Sequence, residues 1–129
     1  MPITMLYGGI LGLIFLVLSI RVIRGRLTTK TFMGDGGNAK MLRLMRGHAN
    51  FAEYVPLTLV LMAFAETHGS RPWLLHTMGA SLVVARLLHG YTFLFSDHFF
   101  PGRFIGTNLT FAVLAVASGL CIWQGFGVL

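Results

Sequence analysis

The chain has 129 residues, of which 55% are hydrophobic and only 11% are charged. A soluble domain usually carries about a quarter charged residues, and a disordered chain needs low hydrophobicity and high charge, so the composition excludes both. The net charge of +6 would suit a nucleic acid or a membrane surface, but the chain offers no soluble domain to carry a nucleic-acid patch. The single cysteine, Cys121, excludes an intrachain disulfide and a cysteine-rich zinc site. The composition predicts a membrane protein.

Four apolar segments in chain order are long enough to cross a bilayer, which takes roughly 20 residues. The first spans about residues 3–24, and its positive charge follows the apolar run, whereas a signal peptide carries its charge before that run. The other segments span about 43–66, 72–95 and 103–126. Short connections make consecutive helices antiparallel neighbours. We therefore predict an all-α, up-down bundle of four transmembrane helices that forms a single domain over residues 1–129.

The positive charges are distributed unevenly between the connections. Seven of the ten Lys and Arg residues lie between the first two spans, from Arg21 to Arg46. The positive-inside rule places this connection in the cytoplasm, together with the 96–102 connection that precedes Arg103. Both termini and the 67–71 connection then face the other side. Trp73 and Trp123 lie near predicted helix ends and fit an interfacial aromatic belt.

The second span carries a stripe of polar residues. Arg46, Asn50 and Glu53 follow i, i+4, i+7 spacing, which puts them on one helix face, and Tyr54 is adjacent. A charge at the bilayer centre costs about 2.5–3.5 kcal/mol even on insertion scales, so such residues usually face a partner or a watery cavity. Arg46 can reach the interface with its long side chain, whereas Glu53 lies about 10 Å deeper at 1.5 Å per residue.

The third span carries Arg86 and His89 at i, i+3, and Phe93 continues that face. One interpretation is that Glu53 and Arg86 meet as a buried ion pair that only fixes helix register, although such a pair is weak evidence for stability. The other is a ligand site, which we favour because intramembrane ionisable groups are functional by default. Several cations, a carboxylate, an amide and a phenol lie toward one membrane face. This set suits a zwitterionic ligand with more than one carboxylate.

Two further sequence features predict no additional chemistry. No pair of histidines has the helical spacing with a carboxylate that a metal site needs, so we predict no metal. The glycine run GDGG at residues 34–37 is not a phosphate-binding loop, because no Gly-Lys-Ser/Thr follows it, and we interpret it as a turn.

The polar motifs together resemble one known family. The stretch RGHANFAEYVPL at residues 46–57 resembles the R-x-x-x-N-x-x-E-[YT]-x-P signature of the MAPEG family, the membrane-associated proteins of eicosanoid and glutathione metabolism. ARLLHGY at 85–91, FPGR at 100–103 and SIR at 19–21 are similar to further segments of that family, in the same order. GDGG at 34–37 is similar to members from the bacterial inner membrane.

The resemblance implies a homotrimer in the bacterial inner membrane, with glutathione sites between subunits that open toward the cytoplasm. Glu53 would bind the glutathione ammonium group, and Arg46 and Asn50 would hold the carboxylates. The resemblance further assigns Tyr54, Arg86, His89 and Phe93 to the same pocket, and Arg21 and His48 to the pocket of the adjacent subunit. Related enzymes often have a tyrosine at the position of Phe93.

The resemblance also implies a reaction. Arg103 matches the arginine that is assigned to thiolate activation, and a nearby arginine lowers the pKa of a thiol by favouring the thiolate. The expected activity is attack on an apolar electrophile that is dissolved in membrane lipid, or reduction of a lipid hydroperoxide. Two alternatives stay open: a non-catalytic glutathione-binding or structural membrane protein, and a small oligomeric transporter, which the lack of internal repeats disfavours.

Overall fold

The structure, a computed structural model, describes residues 1–95 and 100–128. Its four helices are α1 (Pro2–Thr29), α2 (Ala39–Thr67), α3 (Pro72–Phe95) and α4 (Phe100–Val128), and no strand occurs among the described residues. The prediction of an all-α chain with four helices is confirmed. Positions 96–99 of the predicted cytoplasmic connection lie outside the described residues.

The helices differ from the predicted spans mainly at their ends. α3 has the predicted bounds, whereas α1 continues to Thr29 and α2 begins at Ala39. Hydropathy detects the apolar part of a helix, while backbone hydrogen bonds continue through the polar turns beyond it. Local capping sets these ends: Lys30 closes α1 in the left-handed region at φ 53°, and the Asn38 side chain accepts a 3.0 Å hydrogen bond from the Met41 amide at the start of α2.

Contacts between helix ends show how α1 and α2 run relative to each other. Glu66, near the end of α2, accepts hydrogen bonds from the amides of Ile3 and Thr4 at the start of α1, at 2.9 and 2.8 Å. At the other end of the same pair, Gly25 of α1 faces Leu44 of α2. α1 and α2 are therefore antiparallel.

The bundle has a closed ring of contacts. α1 and α4 each contact α2 and α3, and α2 also contacts α3 across the middle. The apolar core between them includes Leu11, Phe51, Leu82 and Val113. α2 and α3 thus occupy the centre, where their polar residues can be covered by neighbouring helices.

The outer surface is apolar where a soluble protein would be polar. Among the described residues, α1 and α4 are long and apolar enough to cross a membrane, yet only 17% and 22% of their most apolar windows are buried. Their apolar side chains therefore face outward, as lipid contact requires. By the same measure of length and composition α2 and α3 are less apolar, because they carry the polar residues of the predicted site.

Candidate functional site

A cleft of about 490 Å³ lies between α2, α3 and α4, at the end of the bundle where α2 and α4 begin and α3 ends. Its volume is in the range of small-molecule pockets, roughly 300–1,000 Å³. Five residues of the predicted site line it: Arg46, Asn50, His89, Phe93 and Arg103. The fold thus brings half of the predicted site residues of one chain around a single hollow.

Phe93 forms the aromatic centre of the cleft wall. His89 stacks against it with ring centroids 4.6 Å apart and planes at 28°, and the Arg103 guanidinium carbon lies 5.4 Å from the Phe93 ring centroid. Such a cation–π contact favours a guanidinium over the ring face. The position of Phe93 depends on Gly47, because a Cβ there would lie 2.7 Å from the Phe93 Cβ. Phe93 therefore holds His89 and Arg103 in one stack.

Arg86 lies directly behind the cleft and is only 1% exposed. Its Nη1 donates to the Asn50 Oδ1 at 2.9 Å, and its Nη2 donates to the Thr110 Oγ1 at 2.7 Å and to the Gly106 carbonyl at 3.4 Å. Its Nε has no hydrogen-bond partner among the described residues. Three oxygen dipoles from two neighbouring helices therefore solvate a buried cation, which would otherwise carry a large desolvation cost.

The interpretation in which Glu53 and Arg86 meet as a buried ion pair is wrong. Glu53 is exposed on the outer face of α2, and the one ion pair within residues 1–95 and 100–128 joins the N-terminal amine to Glu66 at 3.9 Å. Three residues along a helix leave Glu53 about 60° away from the direction of Asn50. Asn50, and not Glu53, is the α2 residue that reaches Arg86. Glu53 also does not line the cleft of its own chain.

Tyr54 lies beside the cleft and does not line it. Its ring packs against Phe111, a cleft residue of α4, with centroids 5.2 Å apart and planes at 59°. Tyr54 therefore supports the wall from behind, as Arg86 supports Asn50.

Arg21 and His48 lie on the α1 side of the bundle, outside this cleft. The Ser19 hydroxyl donates to the Phe15 carbonyl at 2.9 Å, so it accepts from the His48 Nε2 at 3.1 Å, and the His48 ring stacks on Phe15. Arg21 donates to the Leu94 carbonyl at 3.3 Å. Their predicted role in the site of an adjacent subunit stays a prediction.

Apart from Arg103, no residue of α4 was predicted to belong to the site. The start of α4 lines the cleft with Phe104, Thr107, Asn108 and Phe111, and Thr110 solvates Arg86. A signal was available, because polar residues at positions 107 and 110 continue the helix face of Arg103 at i+4 and i+7. The cleft consequently has a cationic rim and an aromatic, partly polar wall. No carboxylate of the described residues lines it, so its electrostatic potential favours an anionic ligand.

Comparison with known proteins identifies the family and two relatives of this chain. The model of the MAPEG family matches residues 4–123. "Inner membrane protein YecN" of Escherichia coli strain K12 is 32% identical over 118 residues, which cover 92% of this chain and 88% of YecN. The YecN protein of Escherichia coli O6:H1 matches with the same identity and coverage.

Proposed function

The chain belongs to the MAPEG family, and from this premise we propose that it is an inner-membrane protein that binds glutathione in the α2–α3–α4 cleft and activates its thiol. The thiolate would attack an apolar electrophile or reduce a lipid hydroperoxide. The observation that carries the proposal is the convergence of Arg46, Asn50, His89, Phe93 and Arg103 on one cleft. The inner-membrane location is supported by the relative YecN, an inner membrane protein of Escherichia coli.

The donors of the cleft match the acceptors of glutathione, which has two carboxylates, an ammonium group and a thiol. An arginine side chain only donates hydrogen bonds, so the contact with Arg86 fixes the Asn50 oxygen toward the protein. The Asn50 NH₂ group is then left to donate to a ligand carboxylate. Arg46, exposed at the cleft rim, supplies a bidentate partner for a carboxylate.

Glu53 supports the further proposal of a homotrimer. Its carboxylate is exposed on the outside of a helix that we predict to span the membrane, where an unpaired charge is costly. A neighbouring subunit would cover Glu53. At the boundary between the two subunits, Glu53 would lie at the edge of a cleft and could bind the ammonium group of glutathione. It would also give His48 and Arg21 their proposed place at the site between subunits. Native mass spectrometry tests this proposal, with an expected mass of three times 14.2 kDa.

The proposed chemistry starts from the glutathione thiolate, which the Arg103 guanidinium stabilises. A free thiol has a pKa of about 8.5, and a nearby arginine lowers it; the proton leaves to water at the cleft mouth. In transfer, the sulfur attacks an electrophilic carbon, a C–S bond forms and the leaving group departs with its electron pair. In peroxide reduction, the sulfur attacks the terminal oxygen and the O–O bond breaks to give an alcohol and a sulfenic acid. A second glutathione then forms the disulfide and releases water.

Phe93 favours one second candidate, a protein that binds glutathione without turnover. Phe93 has no hydroxyl group, although its ring lies between His89 and Arg103, where a phenol could donate a hydrogen bond to a thiolate. Binding of glutathione with no conjugation of any electrophile and no peroxide reduction would favour this candidate.

The test is the ultraviolet absorbance of the thiolate when glutathione is added to the purified protein. We expect the wild type to generate a thiolate signal and Arg103→Ala to lose it. Arg24→Ala is the matched control, since Arg24 is an exposed arginine outside the cleft. An unchanged signal in Arg103→Ala would remove Arg103 from the proposed role. A chromogenic electrophile in the same samples separates turnover from binding.

A further inference from the structure

A second large cavity lies at the opposite end of the bundle from the cleft. It measures about 680 Å³ and is formed by the α2–α3 connection, the start of α3 and the end of α4. The side chains that matter for its chemistry are Ser70, Arg71, Trp73, Trp123 and Gln124. None of them belongs to the proposed glutathione site.

The floor of this cavity is built by a side chain from α4. The Gln124 Nε2 donates to the Ser70 Oγ at 2.9 Å and to the His68 carbonyl at 3.4 Å. The backbone of the connection is also hydrogen-bonded to the end of α2, since the Ser70 amide donates to the Ala65 carbonyl at 3.0 Å. The connection is therefore held against α4 by its own hydrogen bonds, and the cavity does not depend on a ligand for its shape.

The polar end of the cavity favours an anion. Arg71 is exposed there, and no carboxylate of the described part of the chain lines the cavity. The nearest acidic residue in sequence, Glu66, is engaged by the start of α1 through Ile3 and Thr4. Arginine recognises phosphate through paired N–H donors.

The apolar part of the lining favours hydrocarbon. Trp73 and Trp123 are 62% and 73% exposed, and Leu74 and Leu120 also line the cavity. Indole rings prefer the membrane interface, where one edge is wet and the ring face meets lipid chains. A ligand that matches both ends has an anionic head and apolar chains.

We propose that this cavity binds a membrane phospholipid, with the phosphodiester on Arg71 and the upper acyl chains between Trp73 and Trp123. The site would anchor the end of the bundle where α3 begins and α4 ends to one leaflet, independently of glutathione binding. Its ligand is a lipid and not a free phosphate ester, because the indole faces and the leucine side chains offer apolar surface that only acyl chains would cover.

The chain provides its own probe, because Trp73 and Trp123 are its two tryptophans and both line this cavity. The protein in detergent is titrated with dibrominated phosphatidylglycerol, whose bromine atoms quench tryptophan fluorescence on contact. We expect saturable quenching that unlabelled phosphatidylglycerol reverses. Arg71→Gln should weaken the apparent affinity roughly 10-fold or more, the effect of losing a charged hydrogen-bond partner, while Arg24→Gln should leave it unchanged.

Comparison of ligands on the wild type tests the proposal without a variant. Dibrominated diacylglycerol has the same chains and no phosphate, and sn-glycerol 3-phosphate has the phosphate and no chains. Equal quenching by the diacylglycerol would overturn the role of the phosphate. Full competition by glycerol 3-phosphate would overturn the assignment to a lipid. Unchanged affinity in a folded Arg71→Gln protein would overturn the role of Arg71.

Discussion

The Arg86 guanidinium donates a 2.9 Å hydrogen bond to the Asn50 amide oxygen, which joins a buried cation of α3 to the wall of the cleft. The contact has two consequences. It lowers the cost of burying Arg86, and it turns the NH₂ group of Asn50 away from Arg86, where it can serve a ligand.

Asn50→Asp separates these two consequences. The new carboxylate would pair with Arg86, so we expect thermal stability in detergent to be kept or raised. Glutathione binding should be lost, because the NH₂ donor is gone and a negative charge faces the ligand carboxylates. Asn38→Asp is the control, since Asp also caps a helix well and residue 38 is outside the cleft. Retained glutathione binding in Asn50→Asp would contradict the assigned orientation.

Thr110→Val tests the buried acceptors of Arg86. The Thr110 Oγ1 accepts from Arg86 at 2.7 Å, and a hydrogen bond to a charged group contributes about 1.5–3 kcal/mol. We expect a clear decrease in thermal stability. Thr77→Val is the matched control, because the exposed Thr77 hydroxyl donates only to the Trp73 carbonyl of its own helix. Equal stability of the two variants would show that Arg86 does not need Thr110.

Gly106→Ala tests the close approach of α3 and α4 behind the cleft. An added Cβ would lie 2.7 Å from the Ala85 carbonyl oxygen and 3.0 Å from the His89 Cβ, and a backbone atom cannot move aside easily. Overpacking of this kind typically costs about 1–3 kcal/mol. Gly119→Ala on the same helix meets open space and should be neutral or slightly stabilising. Thermal unfolding of both variants is the measurement, and a stable Gly106→Ala protein would contradict the packing.

Phe93→Tyr tests whether the missing hydroxyl limits catalysis. The new phenol would extend from a ring that contacts His89 and Arg103. We expect a larger fraction of glutathione thiolate at neutral pH and faster conjugation of a chromogenic electrophile. Phe111→Tyr adds the same hydroxyl to another wall of the cleft and serves as the control. Equal rates for Phe93→Tyr and the wild type would remove this explanation.

The sequence predicted the helices well, because each apolar run is long and the breaks carry charge, proline or glycine. The residues of the cleft were predicted where a polar stripe and a family motif coincide, as for Arg46, Asn50 and His89. The ion-pair interpretation named the wrong partner for Arg86, since charge complementarity alone pointed to Glu53. The rotation of α2 decides that pairing, and rotation depends on packing that the sequence pattern does not specify.

The polar residues of α4 illustrate a different limit. Thr107 and Thr110 lie in an otherwise apolar helix, where a threonine can be satisfied by its own backbone, as the 2.7 Å bond from Thr110 to the Gly106 carbonyl shows. The spacing from Arg103 places both threonines on one helix face, but it does not distinguish a threonine that bonds only its own backbone from one that faces a buried cation. Only the position of α4 against α3 assigns Thr110 its second role.

Calorimetric titration of glutathione into the detergent-solubilised protein tests the central claim most directly. We predict saturable binding at millimolar glutathione or below, and its loss in the double variant Arg46→Gln/Arg103→Gln but not in Arg24→Gln. Absence of saturable heat from the folded wild-type protein, or equal binding by the double variant, would contradict the assignment of the cleft to glutathione.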